Sequence, residues 1–196
     1  MSKLQILNNK FSETFSCSIE ILKAFDDQNS TPPVAIKSSI LLSILSIEAA
    51  ANAFIYSLNL QQDEYKAIDR KPALEKFKFF SQKINADKKC QFNKGCMIVQ
   101  KIADAFKLRD QYVHPKPTQK NAQYSINHNL VDFTHDYDYM PHLKIKNDID
   151  ACSYDDAIEV IRSVVDFINY YVNQVLNLPL LESFSYLLEH SHVQDL

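Results

Sequence analysis

The sequence predicts an all-α protein, and three observations carry that expectation. Glycine occurs once, at Gly95, among 196 residues, against roughly 7% in average proteins. Apolar residues recur at three- and four-residue steps through several long runs, the period of a helix that buries one face. The helical period lapses beyond Pro117 and returns at Ser153, so the expected architecture is an up-and-down helical bundle with a long loop or small hairpin inserted at about 115–152. With 46% hydrophobic and 23% charged residues, the chain is expected to form one domain over 1–196. A single glycine cannot build a Gly-rich dinucleotide or phosphate loop, which excludes those nucleotide enzymes.

The first helix is expected over residues 3–27, where Leu4, Leu7, Phe11, Phe15, Leu22 and Phe25 form one stripe that stops before Pro32 and Pro33. Polar and acidic residues interrupt it throughout, which is unlike a secretory signal. Residues 38–60 are the most apolar run and are long enough to span a bilayer. Glu48 and Asn52 stand near its middle with several serines, and a central acid costs about 2.5–3.5 kcal/mol on insertion. A helix buried on most sides of a bundle, with no membrane, is the expectation. Glu48 and Asn52 lie one turn apart and share a face.

A short helix is expected near 63–69, and a clearer one begins at Pro72, a good first-turn residue, with Leu74, Phe77, Phe80 and Ile84 on its stripe. The segment 98–117, IVQKIADAFKLRDQYVHPKP, is the stretch around which the chain is arranged. Ile98, Ile102, Ala105, Phe106 and Val113 form its apolar stripe, and Arg109 falls on that stripe. An unpaired buried guanidinium costs several kcal/mol, so Arg109 is expected to face a carboxylate, an interface or an anionic ligand. Glu48 and Asn52 are the candidate partners. His114 precedes Pro115, and the residue before a proline is driven out of helical geometry, which leaves an imidazole at a helix end. Arg109 and His114 lie about 140° apart around an ideal helix, whereas Asp110 and His114 share a face. One small site using both Arg109 and His114 therefore needs a distorted helix or a second copy, and the expectation is a dimer.

Charge is unevenly distributed. Residues 66–120 carry 14 Lys plus Arg against 5 Asp plus Glu, and the remainder carries 7 against 19. A net of +9 beside −12 suits an anion-binding face on an acidic protein, with nucleic acid the first candidate; solvated lysine-rich helix faces are the plain alternative. In the aromatic-rich segment beyond Pro117, His135, Asp136, Asp138 and His142 have metal-ligand chemistry but no recognisable ligand spacing, so no metal and no cofactor is expected. That segment could instead stack on bases or cover the site.

Ser153 with Asp156 three residues on reads as an acidic capping box, and Ala157, Val160, Ile161, Val164, Val165, Ile168, Val172 and Val175 continue the stripe. The C-terminal helices are expected over 153–190, the last short one opening at Pro179 and running through Leu187 and Leu188. Cys17, Cys90, Cys96 and Cys152 form no paired motif, which suggests reduced thiols in the cytoplasm; Cys90 or Cys96 as a nucleophile has little support.

The order Arg109, Asp110, three residues, His114 resembles the signature of the HEPN superfamily. SIEAAANAF, over 46–54, resembles that family's early helix with its Glu and Asn, and PALEKFKFF, over 72–80, resembles its sleeK helix. The likeness covers about 38–117 by motif and the terminal helices only by pattern. It implies a HEPN-like bundle and a metal-independent endoribonuclease, often a toxin or antiviral effector, whose two copies face each other through the motif helices. It further implies that Arg109, Asp110 and His114 are catalytic, with Glu48, Asn52 and Tyr112 in support. Lys107, Lys116 and Lys120, beside the motif in the basic stretch, are the candidate RNA contacts. The other expectation is a non-catalytic HEPN-like dimerisation or interaction module that partners a nucleotidyltransferase or another defence subunit; in either case the resemblance allows an antitoxin or defence-complex protein as partner. In one such branch a tyrosine stands two residues after the His; here that position is Lys116.

Overall fold

The computed structural model describes residues 10–25, 31–84, 92–115, 122–127, 130–135 and 138–177. Among the described residues there are six α-helices: α1 (Lys10–Lys23), α2 (Pro33–Ser57), α3 (Gln62–Asp69), α4 (Ala73–Ile84), α5 (Met97–Val113) and α6 (Tyr154–Tyr170). The fold is mostly helical, as the sequence predicts. The first helix is shorter than the predicted 3–27: its described span begins at Lys10 and ends at Lys23, with Phe25 beyond it. Leu4 and Leu7 lie outside the described residues, as do Cys90 and the predicted last helix around Pro179, Leu187 and Leu188.

α2 is the axis of the bundle. Pro32 and Pro33 open it, since a proline in the first turn forfeits no hydrogen bond. It is long and apolar enough to cross a membrane by length and composition. Here its sides are taken up by α1, α4, α5 and α6, and Ile40, Ile44, Ile47, Ala50, Ala51 and Phe54 are fully buried. Serines on its inner face allow close approach: the Ser39 hydroxyl donates to the Ser18 carbonyl of α1 at 2.8 Å.

Two apolar clusters divide the core along α2. Ile36, Ile40 and Ile44 meet Leu22, Ala105, Leu108, Ala157 and Val160. Ile47, Ala51 and Phe54 meet Phe11, Phe77, Phe80, Val99, Ile102, Val164 and Phe167. This distribution makes α1 and α5 antiparallel to α2 and α6 parallel to it. The second cluster is centred on Tyr171, whose ring lies 4.6 Å from that of Phe77 and whose hydroxyl donates to the Phe77 carbonyl at 2.7 Å.

α6 starts as predicted. The Ser153 amide donates to Asp156 Oδ2 at 2.7 Å, and the Asp156 amide returns a bond to Ser153 Oγ at 3.2 Å. The helix widens into a π-helical segment, Tyr171–Leu176, closed by Asn177 at φ 51°. Val172 and Val175 stay buried, so the predicted stripe survives the change of helix type.

The predicted insertion has two parts. β1 (Ala122–Asn127) and β2 (Leu130–His135) form an antiparallel hairpin with Ala122 opposite His135 and Asn127 opposite Leu130. A strap then runs over 138–152. Tyr139 bridges Lys146, Lys144 turns the chain at φ 61°, and Met140, Leu143, Ile145 and Ile149 are buried against the first core cluster. A short 3-10 turn, Ile149–Ala151, leads into α6.

Candidate functional site

α5 is buried along Val99, Ile102, Ala105 and Leu108, one residue every turn on the face that meets α2 and α6. Burial fades toward its C-terminus because the helix outruns the bundle: Val113, placed on the stripe by the sequence, is 50% exposed. Arg109 sits where core gives way to surface, its side chain 24% exposed. Its Nη2 donates to Glu48 Oε1 of α2, so the charge expected to need a carboxylate has one. Phe106, one turn earlier, lies with its ring centroid 5.9 Å from the guanidinium carbon. Asp110 Oδ1 is 3.3 Å from Arg109 Nε, close enough to attract but not aligned, so Nε is buried without a hydrogen bond among the described residues.

His114 ends the helix at φ −124° and ψ 63°, as the proline after it requires. Its amide still donates to the Asp110 carbonyl at 2.8 Å, so the helix stays regular to its end. Arg109 and His114 therefore remain on different faces of α5, and the distortion that would bring them together in one chain does not occur. The His114 side chain is exposed. Although Asp110 and His114 share a face, the Asp110 carboxylate turns to Arg109 rather than to the His114 ring.

Asn52 does not reach Arg109. Its Oδ1 accepts from Lys76 Nζ of α4 at 2.7 Å, and the same ammonium lies 3.7 Å from Asp69 Oδ1. Lys76 is the residue the sequence reading passed over. It stands in the PALEKFKFF segment, is 7% exposed, and joins Glu48, Asn52, Lys71, Pro72 and Ala73 in lining a polar cleft of about 150 Å³. Polar side chains of α2, α4 and α5 thus form one seam, with Arg109 bonded to Glu48 and Lys76 to Asn52. Its signal in the sequence was a lysine on a helix whose neighbours, Phe77 and Phe80, are core.

Tyr112 is on the other side of α5. Lys37 Nζ lies 5.2 Å from its ring centroid and pairs with Asp150, which raises the Lys37 pKa through that hydrogen bond. Tyr112 therefore ties α5 to the start of α2 and to the strap. Lys107 is directed to Asp104 Oδ1 at 3.1 Å, which spends part of its charge within the chain. Lys116 and Lys120 lie outside the described residues.

Asp104 was also missed, although it is a charge within the α5 period. It is fully buried. Its Oδ2 accepts from the His142 amide at 2.7 Å and the Leu143 amide at 3.2 Å, with His142 Nδ1 at 3.2 Å. Burial pushes the Asp104 carboxyl up, but the His142 amide, the Lys107 ammonium and the Leu143 amide outweigh it and hold the group below the usual carboxylate range. His142, one of the four residues with metal-ligand chemistry, is thus a structural partner of Asp104. Among the described residues no group of three or more His, Cys, Asp or Glu is placed to hold a metal.

The cysteines described are separate free thiols. Burial pushes the Cys152 thiol up to about 12, which makes it a poor nucleophile. No family model, no curated protein and no solved structure matches the chain.

Proposed function

We propose that the chain is a HEPN-type, metal-independent endoribonuclease that acts as a homodimer in the cytoplasm, as a toxin or antiviral defence effector. The observation that carries this reading is the disposition of Arg109 and His114 on a helix that stays regular between them. Each motif offers a half-buried guanidinium on one face and an exposed imidazole on another, so two copies are needed to build one site. The surroundings of Arg109 suit such a contact. Leu45, one turn before Glu48, is 42% exposed, and Val113, one turn after Arg109, is 50% exposed. Packing against a second copy would cover that apolar rim and desolvate the charges between.

In this reading the ribose 2′-hydroxyl attacks the adjacent phosphorus while His114 of one copy takes its proton. The P–O5′ bond breaks, and His114 of the other copy gives a proton to the leaving 5′-oxygen, leaving a 2′,3′-cyclic phosphate. Arg109 meets the charge that develops on the phosphoryl oxygens, a task for a rigid fork. Glu48 holds that fork by one nitrogen, and Asp110 biases the other side.

The test is cleavage of labelled total RNA and tRNA, with EDTA present, by the wild type and by His114→Ala, with the product ends analysed. Cyclic-phosphate ends from the wild type alone support the proposal. Equal cleavage by both removes it. A second reading is favoured by the Arg109–Glu48 pair itself, which is complete within one chain and serves equally as a clamp in a non-catalytic dimerisation module. A folded dimer that cleaves no RNA would establish that reading over the first.

A further inference from the structure

Outside the seam, α3 and α4 enclose a groove of about 380 Å³ lined by Ile68, Lys71, Pro72, Glu75, Lys78, Phe79 and Gln82. Lys71 and Pro72 also line the smaller cleft that holds Glu48, Asn52 and Lys76. The two hollows therefore adjoin at Lys71 and Pro72, with Glu48, the carboxylate that holds Arg109, in the lining of the inner one.

The chemistry of the groove is that of a nucleotide. Its volume lies within the range of small-molecule sites. Lys71 and Lys78 line it, and its single carboxylate, Glu75, is engaged by Lys94, which leaves the two lysines in excess. That ion pair, with Lys78 and Lys71 nearby, holds Glu75 below the usual carboxylate range, so Glu75 stays anionic and the groove's positive charge rests on Lys71 and Lys78. Ile68 is buried and Phe79 packs partly against the main core, giving the groove an apolar floor. Lys83, whose charge is met by Glu64 at 2.8 Å, sits 5.4 Å from the Phe79 ring centroid at the edge of that floor. Gln82 supplies an amide that can donate and accept.

We infer that this groove binds a nucleotide of single-stranded RNA flanking the scissile phosphate, with backbone phosphate at Lys71 and Lys78 and the base against Ile68 and Phe79. The inference rests on the ribonuclease reading above and extends it to the path of the substrate. Phosphate contacts to lysine give salt-dependent affinity, and base contact with an aromatic ring tolerates any sequence.

The experiment is fluorescence anisotropy with a labelled single-stranded RNA of mixed sequence, at several salt concentrations, on the His114→Ala protein so that the probe survives. Lys71→Ala with Lys78→Ala should weaken binding about tenfold and reduce the slope of log affinity against log salt by about 1.4, two phosphates at roughly 0.7 each. Lys71→Arg with Lys78→Arg should restore both. Unchanged affinity and slope in the double alanine variant, with the parent binding RNA, would overturn the groove and leave the ribonuclease reading standing. Absence of RNA binding by the parent would overturn the groove, while cleavage by the wild type separately decides the ribonuclease reading. Polyglutamate that competes with RNA at equal affinity would show a site for acidic protein and overturn the RNA assignment.

Discussion

Arg109 of α5 and Glu48 of α2, 61 positions apart in the chain, share a hydrogen bond at the rim of the bundle. The pair is 24% and 31% exposed, so each charge is partly desolvated and depends on the other. Glu48→Ala should lower unfolding free energy by about 2 kcal/mol, less than the 3–5 kcal/mol of a fully buried pair. Urea midpoints of Glu48→Ala, Arg109→Ala and the double variant measure the coupling. A double variant as unstable as the sum of the singles would show that the two residues do not depend on each other.

Asp104 fastens the strap to α5. Asp104→Ala strands the amides of His142 and Leu143 in the interior, and about 3 kcal/mol of stability should go with them. Unfolding of the variant in urea, with α-helical signal as readout, is the check. A change below about 0.5 kcal/mol would mean that water takes the place of the carboxylate.

The same group sets a pH dependence. The folded-state pKa of Asp104 lies below its ordinary value, so its contribution is complete above an unfolded-state value of about 3.9. It is lost as pH falls through the lower folded-state value. The stability gap between wild type and Asp104→Asn should therefore shrink as pH falls below about 4. Denaturant titrations at neutral and acid pH would show it, and a gap that widens in acid would contradict the assignment.

Ser153→Ala removes the reciprocal cap of α6 and leaves the Asp156 amide without its acceptor. The expected loss is about 1 kcal/mol. Ser153→Asn should recover most of it, read as a shift of the thermal midpoint.

Tyr171→Phe retains the ring at the centre of the aromatic cluster and deletes only its buried hydroxyl. A loss of about 1 kcal/mol is expected from the bond to the Phe77 carbonyl. Tyr171→Ala, which also empties the cavity, should cost at least 3 kcal/mol.

Much of the helical framework was legible in the sequence because a half-buried helix writes its period into the chain. The starts of α4 and α6 were marked by Pro72 and by the Ser153 cap. Helix ends and the far reaches of stripes were less legible, since periodicity reports direction around an axis and not distance from the bundle centre. Ile84 and Val113 lie at the ends of expected stripes and are exposed for that reason, whereas Val165, next to the fully buried Val164 in mid-α6, simply faces away from the core. Of the candidate site, the need of Arg109 for an acid, and Glu48 as a partner, followed from charge and burial. Lys76 and Asp104 did not, because each is satisfied by groups distant in sequence that only the fold brings near. The strap was equally hidden: Met140, Leu143, Ile145 and Ile149 follow neither a helical nor a strand period, and their burial comes from tight turns.

The strap has a consequence for the order in which the molecule assembles. Its anchor joins residues 38 positions apart, and the surface it covers exists only once α2, α5 and α6 have met. Docking of 138–152 is therefore expected after the folding barrier, so that Asp104→Ala should hasten unfolding and leave the folding rate nearly untouched in stopped-flow kinetics. The bundle would be complete in outline before the strap closes, and Asp104 would act as the latch that slows its reopening.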